Sequence, residues 1–280
     1  MISICAFAKI NWTLRITGKR HDNYHDLISL MQTVSLCDKL FFSPNSELII
    51  KTNLDLPTKD NLIFKAYELI SDFLSTKKGV NIELHKEIPM QAGLGGGSCD
   101  AAATLIGLNR LWKCGLSLKQ LSAIGAKLGS DIPFFIEGSY AIIEGRGDIV
   151  TQLLDTPRYD IILIKPDFNI STAWAYQRIT EYSDVSFKYC HKLDNALLTR
   201  DFAQIQLLMK NDFEPALKGE FPEIGHIKTS LMEQGAISAM LSGSGSAVFG
   251  IYPDQKSALT CLAKLSEIYP DYWLRHVKTL

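Results

Sequence analysis

The chain reads as an α+β protein built in two halves, and three observations predict this. Candidate strands and helices are interleaved without the strict alternation of a doubly wound parallel sheet. At 280 residues the chain is long enough for two domains or one large one. The turn-forming stretch Asp155-Thr156-Pro157-Arg158 marks a linker near its middle, dividing residues 1–155 from 156–280.

Residues 2–16 alternate and are rich in β-formers, which predicts a strand. A polar loop with Gly18 and Asp22-Asn23 follows over 17–26, and strand-like runs resume at 27–42 and 48–52. Asp60-Asn61 opens a helical pattern through Leu62, Ala66, Leu69, Ile70 and Phe73, which Gly79 ends. Residues 80–85 alternate as a strand and deliver the chain to a glycine-packed turn. Beyond that turn Ala102, Leu105, Leu108, Leu111 and Trp112 fall on one helical face. Ser117 is the N-cap of a further helix that stops at Gly129. Ser130-Asp131-Ile132-Pro133, a short apolar segment and a strand at 140–144 follow. The second half opens with a strand at 159–165 and a helix at 171–180, and helical patterns recur at 201–210 and 223–233. Strands at 237–241 and 247–252 flank a second small-residue turn, S-G-S-G-S, from Ser242 to Ser246. A helix at 254–265 and a strand near 272–277 close the chain.

Composition narrows the function. With 46% hydrophobic and 21% charged residues the chain is globular rather than disordered. Lys and Arg (29) nearly balance Asp and Glu (30), so no global positive field gathers nucleic acid and phosphate recognition has to be local. Six cysteines stand singly, without CxxC pairs or zinc spacing, which fits reduced thiols in a cytoplasmic protein. Lys9, Asn11 and Arg15 interrupt the first apolar run, so no secretory leader is expected, and no apolar stretch approaches a membrane span. A soluble cytoplasmic chain, a monomer or weak homodimer with neither nucleic-acid nor membrane partner, is the expectation.

Residues 89–102, P-M-Q-A-G-L-G-G-G-S-C-D-A-A, carry the most information. Gly93, Gly95, Gly96 and Gly97 remove the Cβ atoms that would keep a ligand from the backbone. The helix that follows presents first-turn amides without intrahelical partners and the positive end of its dipole, which suits a phosphate. No Gly-Lys-Ser/Thr closes the loop as in a Walker A, and Ser98 stands where a Rossmann pattern has its third glycine.

Other residues supply candidate chemistry. Lys9 lies in an otherwise apolar strand with Asn11 on the same face; by pattern alone it is equally a solvated outer-face lysine. Asp131 before Ile132-Pro133 reads as a helix cap, as a catalytic carboxylate, or as both. His21 and His25 are four apart, but in a loop and without a third ligand they do not make a metal site. Tyr24 and His25 make better sense as an aromatic and hydrogen-bonding pair for a heterocyclic base. Trp174 and Tyr176 are core aromatics or part of the same site.

Three ordered blocks, residues 6–27, 89–102 and 241–250, together resemble the GHMP kinases, the superfamily of galactokinase, homoserine, mevalonate and phosphomevalonate kinases. Within it, A-K-I-N followed by I-T-G-K-R-H-D-N-Y-H, the G-L-G-G-G-S loop and L-G-S-D-I-P-F-F are most similar to members acting on a cytidine diphosphate-linked alcohol. The resemblance runs nearly end to end and implies two α+β halves with the active site in the cleft between them. It implies ATP as phosphoryl donor, with Mg2+ expected. Asp131 would be the general base toward the substrate hydroxyl, with Lys9 beside it and Asn11 placing the substrate. Tyr24, His25 and Tyr176 would hold the cytosine, His25 by hydrogen bonds and the two tyrosines by stacking, and Thr172 would lie near the reacting end. Pro89, Met90, Gln91, Ala92, Gly93, Leu94, Gly95, Gly96, Gly97, Ser98 and Cys99 would bind ATP, the loop from Gly93 to Ser98 wrapping its phosphates. Asn61, Leu62 and Lys86 would line the adenine pocket, and Gly243 and Gly245 would let the third block approach the same cleft. Cys99 departs from the family's usual serine, which puts any hydroxyl contact to Mg2+ in doubt; Asp100 is the candidate carboxylate ligand. A kinase for homoserine or mevalonate is the alternative, which the aromatic pair disfavours. A non-catalytic sensor has no need of both Lys9 and Asp131.

Overall fold

The structure, a computed structural model, describes residues 1–53 and 61–280. Strands β1 (Ile2–Lys19) and β2 (His25–Pro44) form a long antiparallel hairpin that organises the first half. Pairing continues past Ile16 because Lys19 still finds a partner in His25. The far edge of β2 is shared. Strand β4 (Val80–His85), with β3 (Leu48–Thr52) parallel beside it, takes the Lys39–Pro44 end, and β5 (Tyr140–Glu144) takes the Ser29–Gln32 end. Strand β6 (Ile149–Gln152) extends the sheet beyond β5. Helices α1 (Leu62–Phe73), α2 (Gly96–Trp112), α3 (Leu118–Gly125) and α4 (Ile132–Glu137) form a connected layer, α2 lying against β1 and β2.

The second half carries β7 (Asp160–Lys165), α5 (Thr172–Tyr176), α6 (Phe187–Thr199), α7 (Phe202–Leu208) and α8 (Phe213–Leu217). It continues with α9 (Pro222–Glu233), β8 (Ser238–Leu241), β9 (Val248–Tyr252), α10 (Gln255–Ile268) and β10 (Trp273–Lys278). The four strands form one antiparallel sheet in the order β10-β7-β9-β8. The unbroken Ile161-Ile162-Leu163-Ile164 run of β7 reflects burial on both faces. Ile162 and Ile164 pack in a core with Ile227, Leu231 and Leu265 of α9 and α10. Ile161, Leu163 and Phe249 join a second core that reaches into the first sheet, where Trp12 sits edge-on to Tyr159 and Phe249. The two sheets therefore share apolar packing, and Leu280 N donates to Thr33 O across them (3.1 Å).

The differences from the sequence expectations are local. Asp60 lies outside the described residues; Asn61 caps α1, accepting from Ile63 N (2.9 Å), and the helix ends at Leu74 rather than Gly79. Ser117 closes a capping box with Gln120, but α3 stops at Gly125 because a tight turn, Leu128 N to Gly125 O, takes the chain onward. The 171–180 helix shortens to α5. Helices α6 and α8 and strand β6 were not anticipated, and α4 was foreseen only as the helix that Asp131 would cap. In α6 the buried stripe is only Cys190, Leu193, Ala196 and Leu197, diluted by Lys and His, so its periodicity is faint. Among the described residues no helix is long and apolar enough to cross a membrane.

Candidate active site

Strand β1 carries Lys9 and Asn11 into the interior. Lys9 is 3% exposed, and its Nζ donates to Asn11 Oδ1 (2.6 Å) and Gly93 O (2.8 Å). Asn11 is steadied in turn by donating Nδ2 to Ser29 Oγ (2.8 Å) on β2. Burial pushes the Lys9 pKa down from its ordinary value, and the Asp131 carboxylate opposes that shift. Asp131 occupies the N-cap position of α4, with Pro133 behind it, but its side chain caps nothing. Its half-buried carboxylate is left to the cavity, so the purely capping role considered for it is not the one it takes. A Cβ at Gly147 (φ +104) would lie 3.8 Å from Asp131 Oδ1.

The glycine turn reaches the same cavity. Gly93 and Gly95 have positive φ, and a Cβ on Gly93 would collide with Ser242 O of the third block. Gly95 is the left-handed N-cap of α2, which begins inside the turn, so the Gly96, Gly97 and Ser98 amides lack intrahelical acceptors. The third block closes over this turn: Ala247 N donates to Ala92 O (3.1 Å) and Ser242 Oγ to Gly93 O (3.0 Å).

A cavity of about 500 Å³ results, lined by Lys9, Asn11, Asn61, Leu62, Lys86, residues 89–98, Asp100, Asp131, Thr172 and Tyr176. An adjoining cavity of about 730 Å³ is lined by Lys19, Tyr24, His25, Arg146 and Tyr182. The two share Leu27, Ser98, Asp131, Thr172 and Tyr176 as a common wall. Asp131 therefore stands where the chamber lined by the glycine turn meets an aromatic one.

Several expected site residues have partners that the sequence did not specify. Cys99 lines neither cavity: its thiol is buried and donates to Gly96 O (3.0 Å) and Ala6 O (3.5 Å), because the first turn of α2 directs it into the core. Lys86 reaches the first cavity, but its ammonium is held by Asp38 and by Asp100 (2.8 Å). Gly243 lines the cavity while Gly245 does not, packing instead toward Leu241 and Ile170. His25, expected to contribute hydrogen bonds, stacks on Tyr176 (5.1 Å, 20°), and Tyr24 is exposed beneath the Arg146 guanidinium (4.8 Å). Apolar ring faces bury against whichever ring lies nearest, which the loop sequence does not specify. Burial and Lys19 hold the His25 pKa below its ordinary value, leaving a neutral imidazole near neutral pH. Trp174 packs on Phe221 and under Arg178, lining neither cavity.

Among the described residues, Asp38, Cys99 and Asp100 are close enough to share an ion. The Lys86 ammonium already neutralises that cluster, and burial holds the Cys99 thiol protonated, so it does not fit a metal centre. Burial raises the Asp100 carboxyl to about 7, lowered in part by Lys86 and raised further by Asp38. Its buried Oδ1 has no hydrogen-bond partner. Phe213, Ser244 and Arg146 are among the lining residues that the sequence reading did not single out. Phe213, edge-on to Tyr176 (4.9 Å), comes from the undetected α8. Ser244, whose hydroxyl meets Thr172 Oγ1 (2.9 Å), was visible only as a small residue in the third block, and Arg146 gave no sequence signal.

Residues 61–139 match the family described as GHMP kinases N terminal domain, and residues 194–271 match GHMP kinases C terminal. The 4-diphosphocytidyl-2-C-methyl-D-erythritol kinase of Thermodesulfovibrio yellowstonii is 43% identical over 286 residues, covering 100% of this chain and 98% of that one. That of Lachnoclostridium phytofermentans is 38% identical, with 92% and 90% covered. A crystal structure of 4-(cytidine 5'-diphospho)-2C-methyl-D-erythritol kinase superposes with a TM-score of 0.84 at 28% identity, covering 99% of each chain. The crystal structure of L. major mevalonate kinase shares the fold alone, with a TM-score of 0.77 at 16% identity over 100% and 96% of the two chains. With likeness of this extent spanning both halves, the chain belongs to the 4-diphosphocytidyl-2-C-methyl-D-erythritol kinases of the GHMP kinase superfamily.

Proposed function

We propose that this protein transfers the terminal phosphoryl group of ATP to the 2-hydroxyl of 4-diphosphocytidyl-2-C-methyl-D-erythritol, a step of the methylerythritol phosphate route to isoprenoid precursors. The observation that carries this reading is the convergence of Lys9, Asp131 and the glycine turn on one cavity joined to an aromatic one. Asp131 accepts the hydroxyl proton as the oxygen attacks the γ-phosphorus, and ADP leaves. The Lys9 ammonium, with one proton beyond those given to Asn11 and Gly93, faces Asp131 and offsets the charge that develops. The free amides at the start of α2 take the phosphates, with Asn61, Leu62 and Lys86 around the base of the nucleotide. Tyr24, His25 and Tyr176 hold the cytosine, and Asn11 and Thr172 position the alcohol between.

Mg2+ accompanying ATP would find an oxygen donor in Ser98 Oγ, with phosphate and water completing its shell. The ion supplies charge neutralisation on the phosphates. Residues 1–155 supply the phosphate turn and the catalytic pair, and 156–280 complete the substrate site, in a cytoplasmic monomer or weak homodimer. The test is ADP release measured with the cytidine diphosphate alcohol and with the same alcohol lacking cytidine. Turnover requiring the cytidine moiety is expected; equal turnover of both, or of neither, refutes the reading.

A further inference from the structure

Apart from Phe213, which lines the first cavity, the segment Lys210-Asn211-Asp212-Phe213-Glu214, before and within α8, is placed in none of the roles above, yet it ties separate parts of the site together. Lys210 O accepts from Leu14 N (2.8 Å) and Thr13 Oγ1 (2.9 Å), and Asp212 N donates to Leu14 O (3.0 Å), so the segment clamps β1 just beyond Asn11. Asp212 also receives Ile16 N (2.7 Å) and Arg15 Nε (2.9 Å). Glu214 Oε1 accepts from Leu241 N (2.8 Å) in the third block.

Asn211 is the centre of this arrangement. It is 3% exposed, and its Nδ2 donates to Leu241 O (2.9 Å) and Gly243 O (2.8 Å) while its Oδ1 accepts from Phe213 N (3.0 Å). Both amide protons are committed to backbone carbonyls on either side of Ser242. Ser242 Oγ in turn donates to Gly93 O, the oxygen that also receives Lys9 Nζ. Gly243 lies so near that a Cβ there would sit 3.1 Å from Lys9 Nζ and 2.9 Å from Gly93 O. The Lys9 ammonium thus depends on the place of Gly93 O, which depends on the third block, which Asn211 holds.

We propose that Asn211 is a positioning residue: by fixing the Leu241 and Gly243 carbonyls it sets, through Ser242 and Gly93, the location of the Lys9 ammonium. The inference rests on the phosphoryl-transfer reading above. No aspartate can replace the amide, because a carboxylate is acceptor-only and would face two carbonyls. Threonine or alanine leaves at least one buried carbonyl without a donor.

The experiment compares Asn211→Ala with Leu217→Ala, which opens a cavity in the adjoining helix α8 at a fully buried core leucine that touches none of these bonds. Turnover is measured per folded molecule, with thermal unfolding in parallel. Asn211→Ala is expected to lower kcat by at least about tenfold with both KM values within about twofold, since displacement of a catalytic group by about 1 Å costs up to 10²-fold. Leu217→Ala, at a comparable loss of Tm, is expected to retain kcat. Retained kcat in Asn211→Ala, or equal losses in both variants, overturns the proposal. If Asn211→Ala does not fold, Ser242→Ala decides: a several-fold fall in kcat at unchanged KM supports the linkage, and unchanged kcat refutes it. Wild-type protein inactive toward the cytidine diphosphate alcohol would instead refute the phosphoryl-transfer reading, whatever the variants do.

Discussion

Replacing Lys9 by methionine should separate stability from catalysis. The thioether fills nearly the same volume but carries no charge and no donors. Gly93 O keeps the Ser242 hydroxyl as a partner, and Asn11 keeps its bond to Ser29, so Asn11 Oδ1 is the one acceptor orphaned. Leaving such a buried acceptor unpaired costs about 1–3 kcal/mol. Relief from burying an ammonium offsets it, since isosteric apolar replacement of buried charge is often neutral. The Asp131 carboxylate is half-buried and remains accessible to water, so it adds little. A net change within about 1 kcal/mol follows, or about 2–4 °C in Tm at this chain length. Turnover should fall by about 10²–10³-fold, the scale for losing one preorganised donor at a reacting oxygen.

The pH dependence of stability gives a second readout with a definite sign. Folding lowers the Lys9 pKa below 10.5, so between that lowered value and 10.5 the unfolded chain binds more protons than the folded one. Raising pH through this window therefore favours the folded state, and the variant should lack that component of the slope. Thermal unfolding from about pH 8 upward, alongside ADP-coupled turnover, tests both statements. Near-normal turnover would refute the catalytic assignment, and a Tm loss above about 10 °C would mark the ammonium as structural instead.

Asp131→Asn should lower kcat by about 10²–10⁴-fold while ATP binding by calorimetry stays nearly intact, the scale of a positioned base; near-normal turnover removes Asp131 from that role. Tyr176→Ala should weaken binding of the cytidine substrate by roughly 1–3 kcal/mol, borrowing the scale of base–aromatic stacking. An unchanged affinity would assign the ring to packing against Phe213 and His25 alone. Cys99→Ser should leave ATP affinity within about twofold, because the side chain faces Ala6 and not the phosphate cavity. A large gain in affinity would mean that position 99 does reach the nucleotide.

Legibility followed the range of the interactions. Asn61, Ser117 and Asp254 were readable as helix starts because a cap is satisfied within three residues of itself. Alternation along β4 was readable because one of its faces turns to a core, and the start of β1 alternates likewise before its middle is buried on both faces. Helix α6, whose stripe is narrow, and α8, which is a single short turn-and-a-half around Pro215, fell below what periodicity resolves. Local sequence placed Asp131 before a proline but could not tell a capping carboxylate from a free one.

By itself the sequence determined the α+β class, the glycine turn before a helix and the chemical character of Lys9, Asp131 and the aromatic residues. These are properties of residue type and near-neighbour spacing. Only the tertiary structure decided that Lys9 is buried against Gly93, that Cys99 turns inward, that Lys86 is held by two carboxylates, and that Asn211 grips the third block. Each depends on a partner tens of residues or more away, or on which face of a helix meets the core. Backbone hydrogen-bond closure and side-chain packing settle such choices together, and neither can be counted until the whole chain is folded.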